Sequence, residues 1–375
     1  MLEILKDIRY FIKNKKSNFR QKLDSYIVKY QYKRLLKNTV SFNESETTNM
    51  VAPLRTKPHV LFITEKWFDS HPELGITSYE HYLFGSLEAS GLMTQNQFHF
   101  DEFYYRHHRS GDATLLKLLI NSKPDLIVLG WVCNGNPKHN PRMETLNIIH
   151  STMNIPIVAI WSDSVRPFIM AMAESLLPFI TLNVVWDSTT AYLEITQHEE
   201  KYLPLWVPQD PRLFYNPNRE RDIDISFIGG IKNYPDRLRG IQALRTNGLE
   251  VYQAGGRSEN PLSISQYAET YMRSKIALNF CGSLDKVQSK ARIYEATLCG
   301  ALLMEANNPE TEKWFEPMVD FVPFANESDL VEKTRYYLEH DNERMEISMK
   351  GYEKAKNQYS GEMFWRTILS RVFTP

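Results

Sequence analysis

From His59 onward, short apolar runs alternate with helical stretches, and the alternation occurs twice, on either side of a polar, proline-bearing segment. In the first round His59 to Thr64, Asp125 to Val132, Ile155 to Trp161 and Thr181 to Trp186 have the length and branching of buried strands. Between them Leu115 to Ile120, Arg142 to Met153 and Phe168 to Leu177 read as helices, and Thr77 with Glu80 as a capping box ahead of Tyr82, Leu83 and Leu87. Pro208 to Arg221 reads as a linker. The second round has strands at Asp224 to Ile228, Glu250 to Ala254, Ile276 to Phe280, Ala301 to Met304 and Asp320 to Pro323. Helical stretches lie around Leu238, Tyr267, Tyr294 and Trp314, and helices dominate from Ser328. A strand–helix alternation buries both faces of a parallel sheet. The expectation is α/β, with two doubly wound Rossmann-like domains facing a cleft. A length of 375 residues suits two domains.

Composition removes several function classes. A net charge of -1 argues against a chain-wide nucleic-acid binder. Cys133, Cys281 and Cys299 have neither disulfide nor zinc spacing, so no metal is expected. No apolar run approaches the roughly 18–20 residues that span a bilayer, and the start lacks the apolar core of a signal peptide. The expected location is cytoplasmic. Residues 1–40 hold eleven Lys or Arg against Glu3, Asp7 and Asp24, with Ile4, Leu5, Ile8, Phe11 and Ile12 at helical spacing. Such a basic amphipathic stretch either lies peripherally on the anionic inner face of a membrane or packs its apolar stripe on the protein. Residues 41–56 read as a polar linker.

In doubly wound sheets, ligands sit outside the C-terminal ends of the strands. The second half places Gly229 and Gly230, Gly255 and Gly256, Cys281 to Ser283, and the loop before Lys290 at such exits. Gln288 to Glu305 reads as loop, helix, turn and strand: Ser289 as N-cap, Lys290 and Arg292 in the first turn, Gly300 as stop. Cations in a first turn oppose the helix dipole. That cost has a reason if the helix start holds a phosphate, with Glu295 one turn on taking sugar hydroxyls. The alternative is an exposed Arg292–Glu295 ion pair. Neither G-x-G-x-x-G nor G-x-x-x-x-G-K-[ST] occurs, which argues against dehydrogenases and P-loop enzymes.

Several segments resemble the C-terminal domain of GT-B glycosyltransferases. They are Asp224-Ile-Ser-Phe-Ile-Gly-Gly, Arg237-Leu-Arg, Gly248-Leu-Glu-Val-Tyr-Gln-Ala-Gly-Gly, Tyr267-Ala-Glu-Thr-Tyr-Met-Arg-Ser-Lys-Ile-Ala-Leu-Asn-Phe, Lys290-Ala-Arg-Ile-Tyr-Glu-Ala-Thr-Leu-Cys-Gly-Ala-Leu-Leu and Leu330-Val-Glu-Lys-Thr-Arg-Tyr-Tyr-Leu. The resemblance covers about residues 220–360 and is nearest to the spore-maturation-protein-like group. It implies a GT-B fold with an N-terminal helical extension and linker (1–50), an acceptor domain (51–210), a nucleotide-sugar domain (211–360), and a terminal helix (361–375) packing back on the first domain. It also implies a hexosyltransferase that needs no metal or other cofactor. The donor would be a nucleotide-diphosphate sugar, and the acceptor a glycan, a lipid-linked molecule or a protein. Carried over, Arg237 or Arg239 and Lys290 or Arg292 would meet the diphosphate, Gly229, Gly230, Gly255, Gly256 and Tyr294 would complete the donor site, and Glu295 would hold the ribose. Glu295 matches the second Glu of the retaining families' Glu-x7-Glu pair, and the first position is Val287 here. The resemblance therefore leaves the stereochemistry open. A silent GT-B-like binding module and a nucleotide-sugar epimerase remain as alternatives.

In the first half, Asp163 follows a buried-looking strand and is a candidate general base, or else an N-cap for the helix near Pro167. His81 is a second catalytic candidate, with a plain helix-face role as the alternative. Glu65, Asp69 and His71 flank the first strand–loop–helix, and Trp131 and Asn134 to Asn136 sit at another strand exit. His99, Asp101, Glu102, His107 and His108 match no metal spacing and read as an exposed strand or loop.

Overall fold

The computed structural model describes residues 28–35, 57–133, 136–255, 261–280 and 287–373. The basic stretch before residue 28, the linker of 41–56, Asn134, Gly256 and Cys281 lie outside the described residues. Residues 28–35 form α1, whose Val28 is buried with Leu116 and Ile148.

The first sheet contains β1 (His59–Thr64), β2 (Thr94–His99), β3 (Leu126–Gly130), β4 (Ile157–Trp161), β5 (Leu182–Val185) and β6 (Tyr202–Pro204). Its order is β2-β1-β3-β4-β5-β6, and every pair is parallel. All residues of β1, β3, β4 and β5 are buried, which is why they read as unbroken apolar runs. The edge strand β2 is Thr-Gln-Asn-Gln-Phe-His and half exposed, so its sequence carries no apolar signal. The short β6 ends on Pro204, a residue suited to an edge. Sequence patterning misses both.

The second sheet contains β7 (Ile223–Ile228), β8 (Tyr252–Ala254), β9 (Ser274–Asn279), β10 (Leu302–Ala306) and β11 (Val322–Phe324), in the all-parallel order β11-β10-β9-β7-β8. Helices flank both sheets. Those that matter for the cleft are α2 (Ser86–Ser90), α3 (Phe100–His107), α4 (Asp112–Ser122), α5 (Met143–Asn147), α6 (Pro167–Leu176), α7 (Pro235–Thr246), α8 (Ile264–Arg273) and α9 (Ala291–Leu298). A short α10 (Pro309–Glu312) precedes α11 (Glu327–Glu339), α12 (Asp341–Gln358) and α13 (Gly361–Phe373). Gly300, at φ 72°, ends α9 in a Schellman motif: its N–H donates to the Thr297 carbonyl (2.9 Å) and that of Ala301 to the Ala296 carbonyl (3.1 Å).

Two local readings are corrected. Thr77 does not cap a helix; its hydroxyl donates to Glu65 Oε1 (3.2 Å), and a wide π-helical turn, Glu80–Gly85, leads into α2 without a side-chain cap. Residues 100–107 are helical, not strand or loop. Asp101 is fully buried because its carboxylate accepts the backbone N–H groups of Lys66 and Trp67.

One apolar cluster runs through both domains. It joins Phe62, Val128 and Ile160 of the first sheet to Ile293 and Ala296 of α9 through Trp206, Phe214 and Trp365. The last helix crosses back to the first domain, where Trp365 Nε1 donates to Ser86 Oγ (3.0 Å) and Arg371 donates to the Glu200 carbonyl (2.9 Å).

Candidate active site

Each sheet has one point where the strand order reverses, between β1 and β3 and between β7 and β9. Crevices at such points, beyond the C-terminal strand ends, are where these folds bind ligands. Here the two crevices face each other across a cavity of about 1050 Å³, lined by Gly75, His81 and Tyr82 from one side and Gly229, Tyr267, Arg292 and Glu295 from the other.

The floor on the second side is cationic. Gly229, after β7, is at φ 155°, and a Cβ there would come 3.2 Å from Arg292 Nη1. Arg292 Nε donates to Asn279 Oδ1 (3.0 Å), and Nη2 is buried with no hydrogen-bond partner among the described residues. Asn279 Nδ2 and Asn308 Nδ2 both donate to Glu305 Oε1 (2.7 and 2.9 Å), fixing the asparagine that aims the guanidinium. Burial pushes the Glu305 carboxyl up to about 7. Lys290 caps α9 by position, and no acidic residue sits in the first turn. Burial, and then the charge of Arg292, lower its ammonium from an ordinary 10.5 to about 8. Among the described residues neither Lys290 nor Arg292 forms an ion pair with a carboxylate. Part-buried cations out of ion-pair contact with any carboxylate are costly, and a helix start that carries them is suited to an anionic ligand.

Glu295 closes the other end of this floor. It is 1% exposed; Tyr82 of the first domain donates to Oε1 (2.7 Å), and Tyr267 of α8 donates to Oε2. Burial raises its carboxyl pKa, and the two phenols and Arg292 work against that rise. The supposed exposed Arg292–Glu295 pair does not form, because Glu295 is buried between two tyrosines.

On the first side, Glu65 follows β1, Trp131 follows β3, and Asp163 follows β4; with Asp69 they line a second cavity of about 90 Å³. Asp163 adopts φ 55°, is half exposed, and accepts from Gln288 Nε2 of the second domain (3.2 Å). It does not cap α6, whose N-cap is Arg166. His81 lines the large cavity, and burial holds its imidazole at about 4.

Other expected site residues fall elsewhere. Tyr294 is fully buried against Phe315 and Tyr359, since its helix turns that face to the core. Arg239 pairs at the surface with Glu327 (2.8 Å) on the outer side of α7 and does not line the cleft. Arg237 is buried; its Nη1 donates to the Gly230 carbonyl (2.9 Å) and its guanidinium stacks 3.7 Å from the Tyr234 ring, so it braces the loop that carries Gly229 and Gly230. Ser289 is not the N-cap; its N–H donates to the Asp187 carbonyl of the first domain (2.8 Å), and the helix begins one residue later. Gly255, at φ 77°, does line the cleft, and Gly256 is outside the described residues. Sequence reasoning missed Asn279, Tyr82 and Tyr267 as site residues. Asn279 had a signal, a polar residue closing an apolar strand, but the tyrosines had none. Among the described residues no three His, Cys, Asp or Glu gather to hold a metal ion, and no helix is long and apolar enough to cross a membrane.

Comparison with solved structures decides the architecture. The chain is similar to HepE of Anabaena, solved with UDP and glucose, at TM-score 0.58 and 13% identity over 85% of this chain and 100% of that one. The fold is GT-B. A glycosyltransferase of Rickettsia africae ESF-5 gives TM-score 0.55 at 11% identity over 85% of this chain and 100% of that one. MnaA of S. aureus, solved with UDP, gives 0.50 at 10% identity over 85% and 98%. A family model described as glycosyl transferase-like matches residues 212–370 of this GT-B chain. No curated protein matches it in sequence.

Proposed function

We propose that this GT-B protein transfers a sugar from a nucleotide-diphosphate donor, with UDP-sugars the leading donor class, to a glycan acceptor. The observation that carries the reading is the part-buried pair Lys290 and Arg292 at the start of α9, opposite Gly229, neither of which is in ion-pair contact with a carboxylate among the described residues. That floor suits a diphosphate leaving group, whose charge it would stabilise without a metal ion. Glu295, one turn further, suits ribose hydroxyls. UDP in HepE and MnaA, and glucose in HepE, support the donor class. Arg292, Glu295 and the Cys299-Gly300 turn support placement near the spore-maturation-protein-like group.

UDP is expected to raise the unfolding midpoint, by about 2.7 kcal/mol of stabilisation at 100 times its Kd. If no nucleoside diphosphate does so, the reading fails. The Lys290 ammonium, lowered to about 8, gives the binding a pH signature. A diphosphate needs the charged form, so affinity should hold at pH 7 and fall at least about tenfold by pH 9.5, with proton uptake on binding near pH 8. Without ligand the sign is opposite: the folded state binds fewer protons than the unfolded one between about 8 and 10.5, so stability rises with pH there. Calorimetry at the two pH values checks this, and Lys290→Arg should flatten the dependence.

Tyr82 occupies the Glu295 oxygen that a ribose would use. Tyr82→Phe is expected to tighten UDP about 5-fold, the worth of one hydrogen bond no longer displaced, while lowering the unliganded midpoint because a buried carboxylate loses a donor. Weaker UDP binding by this variant would count against a ribose role for Glu295.

A further inference from the structure

We propose that the Glu65 carboxylate takes the proton of the attacking hydroxyl and that the transfer is inverting; this rests on the glycosyltransferase reading above. Glu65 is the first residue after β1, at the reversal point of the first sheet, where the Trp131 and Asp163 loops form the cavity wall. That wall abuts the cationic floor. Asp163 accepts from Gln288, and the charges of Asp163 and Asp187 act on Lys290. An indole beside carboxylates is chemistry suited to a sugar, which has an apolar face and hydroxyl edges.

Glu65 is held without being used up. Oε1 accepts from the Thr77 hydroxyl (3.2 Å) and Oε2 from the Ser70 N–H (3.1 Å), and a carboxylate has about four acceptor positions. Burial pushes its pKa up to about 7, with further increments from Asp69 and Asp101; Tyr79 and Cys133 face it from the other elements. A base poised near 7 works best at neutral pH. His81, near 4, is too weakly basic for the task, and Asp163 is half exposed and bonded by Gln288. Val287 at the first position of the retaining families' acidic pair leaves no carboxylate there for a double displacement.

In the step, the acceptor oxygen bonds to the anomeric carbon as its proton passes to Glu65. The bond from that carbon to the phosphate oxygen breaks on the opposite face, and its electron pair leaves with the diphosphate. Glu65 then returns the proton to water.

Water can stand in for the acceptor, so the test needs only the full chain and UDP-glucose, whose glucose is α-linked. Proton NMR of the released sugar should show β-glucose first, at a rate that falls as pH drops below about 7. Glu65→Gln should lower that rate at least about 100-fold while UDP affinity and the unfolding midpoint stay as in wild type. Azide, which needs no base, should restore turnover to Glu65→Ala as the β-glucosyl azide. Release of α-glucose first, a Glu65→Gln rate within a few-fold of wild type, or no turnover with either water or azide overturns the assignment. Failure of UDP to bind wild type would instead sink the glycosyltransferase reading itself.

Discussion

Arg292→Ala is expected to lower turnover of a UDP-sugar about 100- to 1000-fold, the usual cost of removing one preorganised donor from a developing charge. The unliganded fold should lose little. Arg292 is part-buried beside Lys290, with no carboxylate in ion-pair contact among the described residues, so its removal relieves repulsion with Lys290 even as Asn279 Oδ1 loses a hydrogen bond and Glu295 a favourable charge. Two readouts therefore separate: activity collapses while the unfolding midpoint stays put or rises. A third follows from the coupling. Arg292 is the second largest cause of the lowered Lys290 pKa, so in the variant the fall of any remaining UDP affinity with pH should move to higher pH. Arg292→Lys should recover only part of the rate, because an ammonium lacks the planar fork that grips two phosphate oxygens. Kinetics with calorimetry on the three proteins checks all of this, and full turnover by Arg292→Ala would remove the floor of the proposed donor site.

Trp365→Ala is expected to cost about 3–5 kcal/mol of stability, the range for truncating a large buried aromatic. Trp365 is fully buried, lies edge-on to Phe62 of β1 at 5.8 Å, and ties α13 to the first domain through Ser86. The effect should reach the cleft, since Ser86 Oγ also donates to the Tyr82 carbonyl and Tyr82 donates to Glu295. The variant should therefore weaken the contact between domains as well as the fold. Denaturant unfolding followed by separate probes in each domain should change from one transition to two. Trp365→Phe, which keeps the edge-on ring contact and loses the N–H, should cost only about 1 kcal/mol beyond its smaller area. A Trp365→Ala protein as stable as wild type would mean that the last helix is not what joins the domains.

Much of the architecture was legible because the strands that build it are buried on both faces. β1, β3, β4, β5 and β10 read directly as apolar runs, and Gly300 marked a helix stop that the Schellman geometry bears out. β2 and β6 were not legible, since edge strands need no apolar face. Residues 100–107 were misread for a related reason. Their histidines and acids look solvated, and only the backbone of Lys66 and Trp67, some 35 positions earlier, explains why Asp101 is buried.

For the site, the sequence by itself determined the cations at the start of α9 and the carboxylate one turn on, because helix periodicity places Arg292 and Glu295, three positions apart, on one face. Tertiary structure alone decided which of them face the cleft. It turned Tyr294 to the core and Arg239 to the surface, brought Tyr82 across 213 positions to Glu295, and set Gln288 against Asp163 across the cleft. The physical reason is range. Local spacing sets a side chain's place on its own helix or strand, whereas burial, pKa and hydrogen-bond partner depend on the other domain, which no local pattern encodes.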